Sequence, residues 1–374
     1  MKLIINAANL HVGGGVQVAS AIINDLLHRK DGDELEQVII LASSLVYDSL
    51  EPYVNPLPKI IIKKCNYYGP SGGVSFRSLL INVVEKYEVD TVFSIFGPTY
   101  LYSLPVTHYI GFANAWLVTP DCLAYSLMDF KTKWFSKLKY FLYKLSLSFE
   151  TDNIITETEL MKSKMADDWL LTNKKVNVAS NCHSSLYLDK NKWDIIKIPH
   201  VEVDFSLCTI SSNYIHKNLD VIGKVGEILK SKYSVKVVFF VTLPHDSYEL
   251  KSDNFKKYTV NLGPVKPSQC PQIYERTDAL FLPTLIETFS ASYPEAMFMG
   301  KPILTSDLDF AKDICKDAAL YFNPLDVNDI AEKVYLCYAD IELREEKINK
   351  ARSVLNSMPN SKARLNKILE IIRG

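Results

Sequence analysis

The sequence carries no surplus charge of either sign: 42 Lys and Arg stand against 43 Asp and Glu, a formal net charge of −1. That balance leaves no global electrostatic case for a nucleic-acid partner. No apolar run reaches the roughly 18 residues that a membrane-crossing helix needs. The first six residues turn polar too soon for a signal peptide and read as a first strand. The seven cysteines are scattered singly, without C-x-x-C spacing. They read as reduced thiols in the cytoplasm. No His/Cys cluster has metal-ligand spacing, and Asp31-Gly-Asp33, in a polar turn, reads as a loop rather than a metal site. The P-loop Lys-Ser/Thr pair and the G-x-G-x-x-G dinucleotide fingerprint are both missing. No Ser-His-Asp or Cys-His set stands out.

What is present is an alternation of short β-branched or aromatic runs with helical patterns, which points to α/β layers with parallel sheets. Strands are expected over 2–5, 37–41, 59–62, 91–95, 107–111, 153–156 and 176–179. A second series is expected over 205–210, 235–241, 258–262, 279–282, 302–305 and 319–321. Helices are expected between them, over 15–29, 75–87, 132–150, 159–169, 219–230, 268–275, 292–299 and 327–339. A last amphipathic helix, 360–372, follows a break at Met358-Pro359. At 374 residues the chain is long for one core. The expected division is a domain over 1–185, a second over 186–357, and a terminal segment, 358–374, returning to the first. The irregular stretch 181–200 is the expected linker.

The most informative stretch runs from Phe281 to Thr305. A strand enters a polar loop carrying Glu287, Thr288, Phe289 and Ser290, and a helix opens at Tyr293-Pro294-Glu295. Pro in a first turn costs little, since its missing N–H has no partner there. Gly300 and Pro302 close the helix. Backbone N–H groups at the helix start suit an anion. The segment resembles the E-x7-E motif of retaining glycosyltransferases of family 4, which have the GT-B fold of two Rossmann-like domains facing a cleft.

Other second-domain segments extend the resemblance. His216-Lys217-Asn218 follows a strand and precedes a helix, and resembles the family's donor-phosphate lysine segment. Ser212 stands where many members carry Arg. Gly263-Pro-Val265 resembles the family's turn against the nucleotide base. The resemblance implies donor binding by His216, Lys217, Asn218, Gly263, Val265, Glu287 to Ser290 and Glu295. It implies catalytic roles for Lys217, on the leaving phosphate, and Glu287, on the donor sugar.

In the first domain Gly13-Gly14-Gly15 opens the first helix, and resembles the family's glycine loop beside the donor phosphates. Asn114 and Trp116 follow a strand, and an amide beside an aromatic face suits a sugar acceptor. The family's His after this strand has no counterpart, and His108, mid-strand, reads as structural. From Lys131 to Lys144 basic and aromatic residues share one helix, which reads equally as a face for an anionic membrane or as a packed helix with wet lysines.

Together the resemblance implies transfer of a sugar from a nucleoside-diphosphate sugar to a glycan or polyprenyl-diphosphate-linked acceptor, without metal or cofactor. The setting it implies is lipopolysaccharide O-antigen or capsule assembly, in the cytoplasm or at the inner face of its membrane. A sugar-nucleotide epimerase, a glycosyl phosphorylase and a catalytically silent scaffold remain the alternatives.

Overall fold

The computed structural model describes residues 1–11, 13–29, 35–51, 60–102 and 104–374. The Asp31-Gly-Asp33 turn and the Lys59 start of the third expected strand lie outside them. Among the described residues the chain forms a seven-stranded and a six-stranded sheet, each with parallel pairs throughout. The first comprises β1 (Lys2–Ala7), β2 (Gln37–Ala42), β3 (Ile60–Lys64), β4 (Thr91–Ser94), β5 (Thr107–Phe112), β6 (Asn153–Thr156) and β7 (Lys175–Val178). The second comprises β8 (Phe205–Thr209), β9 (Val237–Val241), β10 (Thr259–Asn261), β11 (Ala279–Leu282), β12 (Ile303–Ser306) and β13 (Ala319–Phe322). Every expected strand is present, with ends displaced by about two residues at most.

In both sheets the strand order reverses in the middle. The orders are β3-β2-β1-β4-β5-β6-β7 and β10-β9-β8-β11-β12-β13. The switch points therefore lie between β1 and β4 and between β8 and β11, and ligands of open α/β sheets bind outside the carboxyl ends of strands at such points.

The strands are apolar on both faces because helices cover both. Leu3 and Ile5 of β1 join a core with Ile22 and Leu26 of the helix Gly13–Leu27. Ile4, between them, points the other way, into a core with Phe76, Leu80 and Val84 of the helix Gly69–Tyr87. In the second sheet Leu207, Phe239 and Phe281 pack with Ile222 and Val225 of the helix Val221–Tyr233 and Val334 of the helix Val327–Ala339.

The chain divides into two compact units. One holds Met1–Pro120, Phe130–Asn181 and Pro359–Gly374, the other Asp121–Asp129 and Cys182–Met358. The chain thus crosses between units at 181/182 rather than 185/186, and 121–129 clusters with the second unit. The helix Ser361–Arg373 returns to the first unit, where Leu365, Ile368, Leu369 and Ile372 enter the same core as β1. Their spacing forms one apolar stripe. Asn360 caps the helix by accepting from the Ala363 N–H at 2.8 Å.

Candidate functional site

The second sheet builds a site from two loops at its switch point. β8 ends at Thr209, and a short 3-10 turn then carries His216 and Lys217. β11 ends at Leu282, and its loop carries Glu287. Leu285 N–H donates to His216 C=O at 2.8 Å, which locks the two loops together just ahead of Lys217 and Glu287. Asn218 adopts a left-handed backbone, φ +53°, a conformation its short polar side chain tolerates. Its Nδ2 donates to Pro324 C=O, beyond β13, at 2.8 Å. The Asn218 side chain, an expected donor contact, is thereby buried and turned to the protein body, and what it fixes is the backbone next to Lys217.

Lys217 Nζ forms an ion pair with the Glu287 carboxylate, and both side chains are about five-sixths buried (16% and 17% exposed). Opposite charges held near low-dielectric protein attract more strongly than in water. His216 stacks on Tyr214, with ring centroids 5.5 Å apart and planes 7° from parallel. Burial, and secondarily the Lys217 charge, pushes the His216 pKa down to about 3. It is therefore a neutral ring at physiological pH, and Lys217 is the cation of this turn.

After Glu287 the chain buries Thr288, half-buries Phe289 and Ser290, and enters the helix Ser292–Phe298. Gly300, at φ +65°, ends that helix where a Cβ would be strained. Tyr293 anchors the helix, its hydroxyl 2.8 Å from Thr305 Oγ1 on β12. The Glu295 carboxylate is buried and accepts from the Tyr274 hydroxyl at 3.2 Å. Burial, with the nearby Glu295 charge, pushes the phenols of Tyr187 and Tyr274 well up, so both keep their protons at any physiological pH. The second carboxylate of the motif thus sits in a tyrosine-lined interior. Gly263, at φ +74°, and the half-buried Val265 follow β10. Asn261, which sequence reading passed over, fixes that turn: its Oδ1 accepts from Leu243 N–H at 2.9 Å and Gly263 N–H at 3.2 Å.

The first unit repeats the pattern at its own switch point. Gly13, Gly14 and Gly15 form the first turn of the helix Gly13–Leu27 rather than a loop ahead of it. Asn9 Nδ2 donates to Phe96 C=O at 2.9 Å, which ties the segment after β1 to that after β4. Thr99, in the latter, donates through both N–H and hydroxyl to the buried Glu150 carboxylate, each at 2.7 Å. Trp116 stacks on Tyr140, centroids 4.9 Å apart and planes 10° from parallel, so one indole face is already covered. Asn114 lies half-buried before it. His108 is buried on β5 with Nε2 2.9 Å from Ser94 Oγ, a structural place. An open hollow of about 450 Å³ is lined by Asn66, Tyr67, Tyr68, Ser71 and Ser75, among others. His11 stacks on Tyr68 at 3.9 Å beside it. The signal for this hollow was the Tyr-Tyr-Gly-Pro-Ser run from Tyr67 to Ser71, whose rings and hydroxyls suit a polyol.

Lys217, Glu287 and Glu295 all lie inside a stretch that a family model matches. Residues 205–340 match the family model of glycosyl transferases group 1. Over 193 residues the chain is 23% identical to the O-antigen chain mannosyltransferase RfbU of Salmonella typhimurium (strain LT2), a match covering 50% of this chain and 51% of that protein. The chain thus spans about half the length of this curated relative. Sucrose-phosphate synthase from Thermosynechococcus elongatus superposes with a TM-score of 0.70 at 12% identity, over 100% of this chain and 98% of that one. WaaG, a glycosyltransferase involved in lipopolysaccharide biosynthesis, superposes with a TM-score of 0.68 at 13% identity, over all of both chains. These likenesses give the fold as GT-B, built from two Rossmann-like units.

Proposed function

We propose that the protein transfers a sugar from a nucleoside-diphosphate sugar to a glycan or polyprenyl-diphosphate-linked acceptor, with retention at the anomeric carbon, in lipopolysaccharide O-antigen or capsule assembly. The observation that carries the reading is the meeting of Lys217 and Glu287 at the switch point between β8 and β11, inside the group 1 match. A cation and a carboxylate there suit a ligand with both phosphate and sugar hydroxyls. The names of RfbU and WaaG support the pathway.

In this reading the donor diphosphate takes the place of Glu287 on Lys217. The lysine then stabilises the charge that grows on the leaving phosphate, as a pre-placed point charge needing no metal. Glu287, released, accepts from donor-sugar hydroxyls, and Glu295 from the ribose. The turn at Gly263 and Val265 meets the base. The bond from the anomeric carbon to phosphate oxygen breaks as the acceptor oxygen bonds the same face, and the acceptor proton passes to the departing phosphate. The first unit binds the acceptor through Asn114 and Trp116.

The test is incubation of the purified chain with nucleoside-diphosphate sugars and a polyprenyl-diphosphate-linked saccharide, with the product anomer read by NMR. Acceptor-dependent release of nucleoside diphosphate with an unchanged anomer is expected. An inverted anomer contradicts retention. Donor interconversion without acceptor indicates an epimerase, and sugar phosphate formed from inorganic phosphate indicates a phosphorylase.

A further inference from the structure

We propose that the helix Phe130–Glu150 is a docking face for an anionic lipid bilayer, lying in the plane of the membrane surface. Amphipathic helices ordinarily turn their apolar stripe inward. This one does the reverse. Phe130, Trp134, Phe135, Leu138, Phe141 and Leu142 are all exposed, Phe130 by 76% and Phe135 by 72%. Phe149 extends the row at the far end. At 3.6 residues per turn these side chains fall within an arc of about 140°. The packing side lies away from the stripe: Leu147 and Glu150 are buried there, and Ser146 at its edge. Glu150 holds Thr99, and Tyr140 holds Trp116, so the helix is fastened to the first unit through polar and stacked contacts. The row from Phe130 to Phe149 is left outside.

Charge selects the occupant. From Phe130 to Phe149 there are five lysines and no acidic residue. Lys133 and Lys137 fall along one border of the stripe and Lys139 along the other, while Lys131 lies within it. Lysines bordering an apolar face reach a negative headgroup layer while the rings enter the acyl boundary, and Trp favours that depth. Lys144 does not take part: it is buried and pairs with Asp168 at 2.6 Å. That corrects the sequence expectation, in which the whole stretch to Lys144 formed the basic face. Among the described residues no helix is long and apolar enough to cross a membrane, so the contact is peripheral. The proposal stands independently of the reaction catalysed.

The test is co-sedimentation of the purified full chain with vesicles of phosphatidylcholine alone or mixed with phosphatidylglycerol. The wild type is expected to pellet with the mixed vesicles and to be released by high salt. The double variant Phe135→Ser/Leu138→Ser, both at exposed positions, should lose about tenfold or more in partitioning. The variant Lys133→Glu/Lys139→Glu should lose the preference for phosphatidylglycerol. A wild type that stays in the supernatant with the mixed vesicles, or a serine variant that pellets equally well, overturns the proposal. So does a lipid-free dimer, seen by light scattering, that the serine variant splits, because the face is then a contact between two copies of the chain.

Discussion

Lys217 and Glu287 stand 70 positions apart in the chain and meet as an ion pair at the carboxyl ends of β8 and β11. Under the proposed function a donor phosphate approaching Lys217 competes with the Glu287 carboxylate, and Glu287 turns to the donor sugar only when that competition is won.

Lys217→Ala and Glu287→Ala should each lower kcat by about a hundred- to a thousandfold, the scale for removing one pre-placed electrostatic group. Each leaves a mostly buried charge without its partner, at a stability cost of about 2–4 kcal/mol. Initial rates and thermal melts followed by circular dichroism check both.

Glu287→Gln separates binding from transfer. It removes the charge that occupies Lys217, so a nucleoside diphosphate lacking the sugar should bind at least as tightly as to wild type, while transfer is lost. Titration with the diphosphate alone measures the first effect. Weaker binding would show that Glu287 supports the phosphate site instead of competing for it.

Tyr274→Phe tests the interior around Glu295. The hydroxyl donates to a buried carboxylate, and its loss should destabilise the fold by about 1–2 kcal/mol, read by urea denaturation.

The sheets and their order of elements were legible in the sequence because parallel strands covered on both faces read as continuous apolar runs, as in Val237–Val241, buried throughout. The pair of loops carrying Lys217 and Glu287 was legible because each follows such a strand. The helix Ile341–Ser357 was not, since Ala351 is its sole fully buried residue and its packing face mixes Arg344 and Lys347 with Leu343, Ile348 and Leu355. Nor was the role of Asn218, whose amide reaches a carbonyl 106 positions away. The exposed stripe of Phe130–Glu150 reads in sequence like any packed amphipathic helix, because periodicity gives the width of a face and not its direction.

Acid should weaken the protein through His108. Burial pushes its pKa down to about 4 from an ordinary 6.5. Below pH 6.5 the unfolded chain binds a proton that the folded chain refuses, so this contribution is complete above 6.5 and is lost as pH falls toward 4. A shift of this size corresponds to about 3 kcal/mol at most. His108→Gln, which keeps a polar atom near Ser94 Oγ, should flatten the stability profile between pH 4 and 6.5 in denaturant titrations.

Leu369→Ala removes a fully buried side chain of the returning helix from the core it shares with β1. A loss of about 2–5 kcal/mol is expected. Melting should shift sharply, whereas Lys362→Ala, on the exposed side of the same helix, should leave it within about 0.5 kcal/mol.

The most direct measurement is calorimetric titration of UDP, GDP, ADP, CMP and dTDP into the wild type, Lys217→Ala and Glu295→Ala, without added metal. The account predicts that one of these nucleotides binds the wild type, and that both variants weaken it by about tenfold or more. Failure of all five to bind, or equal binding to all three proteins, would contradict a nucleotide-sugar site at β8 and β11.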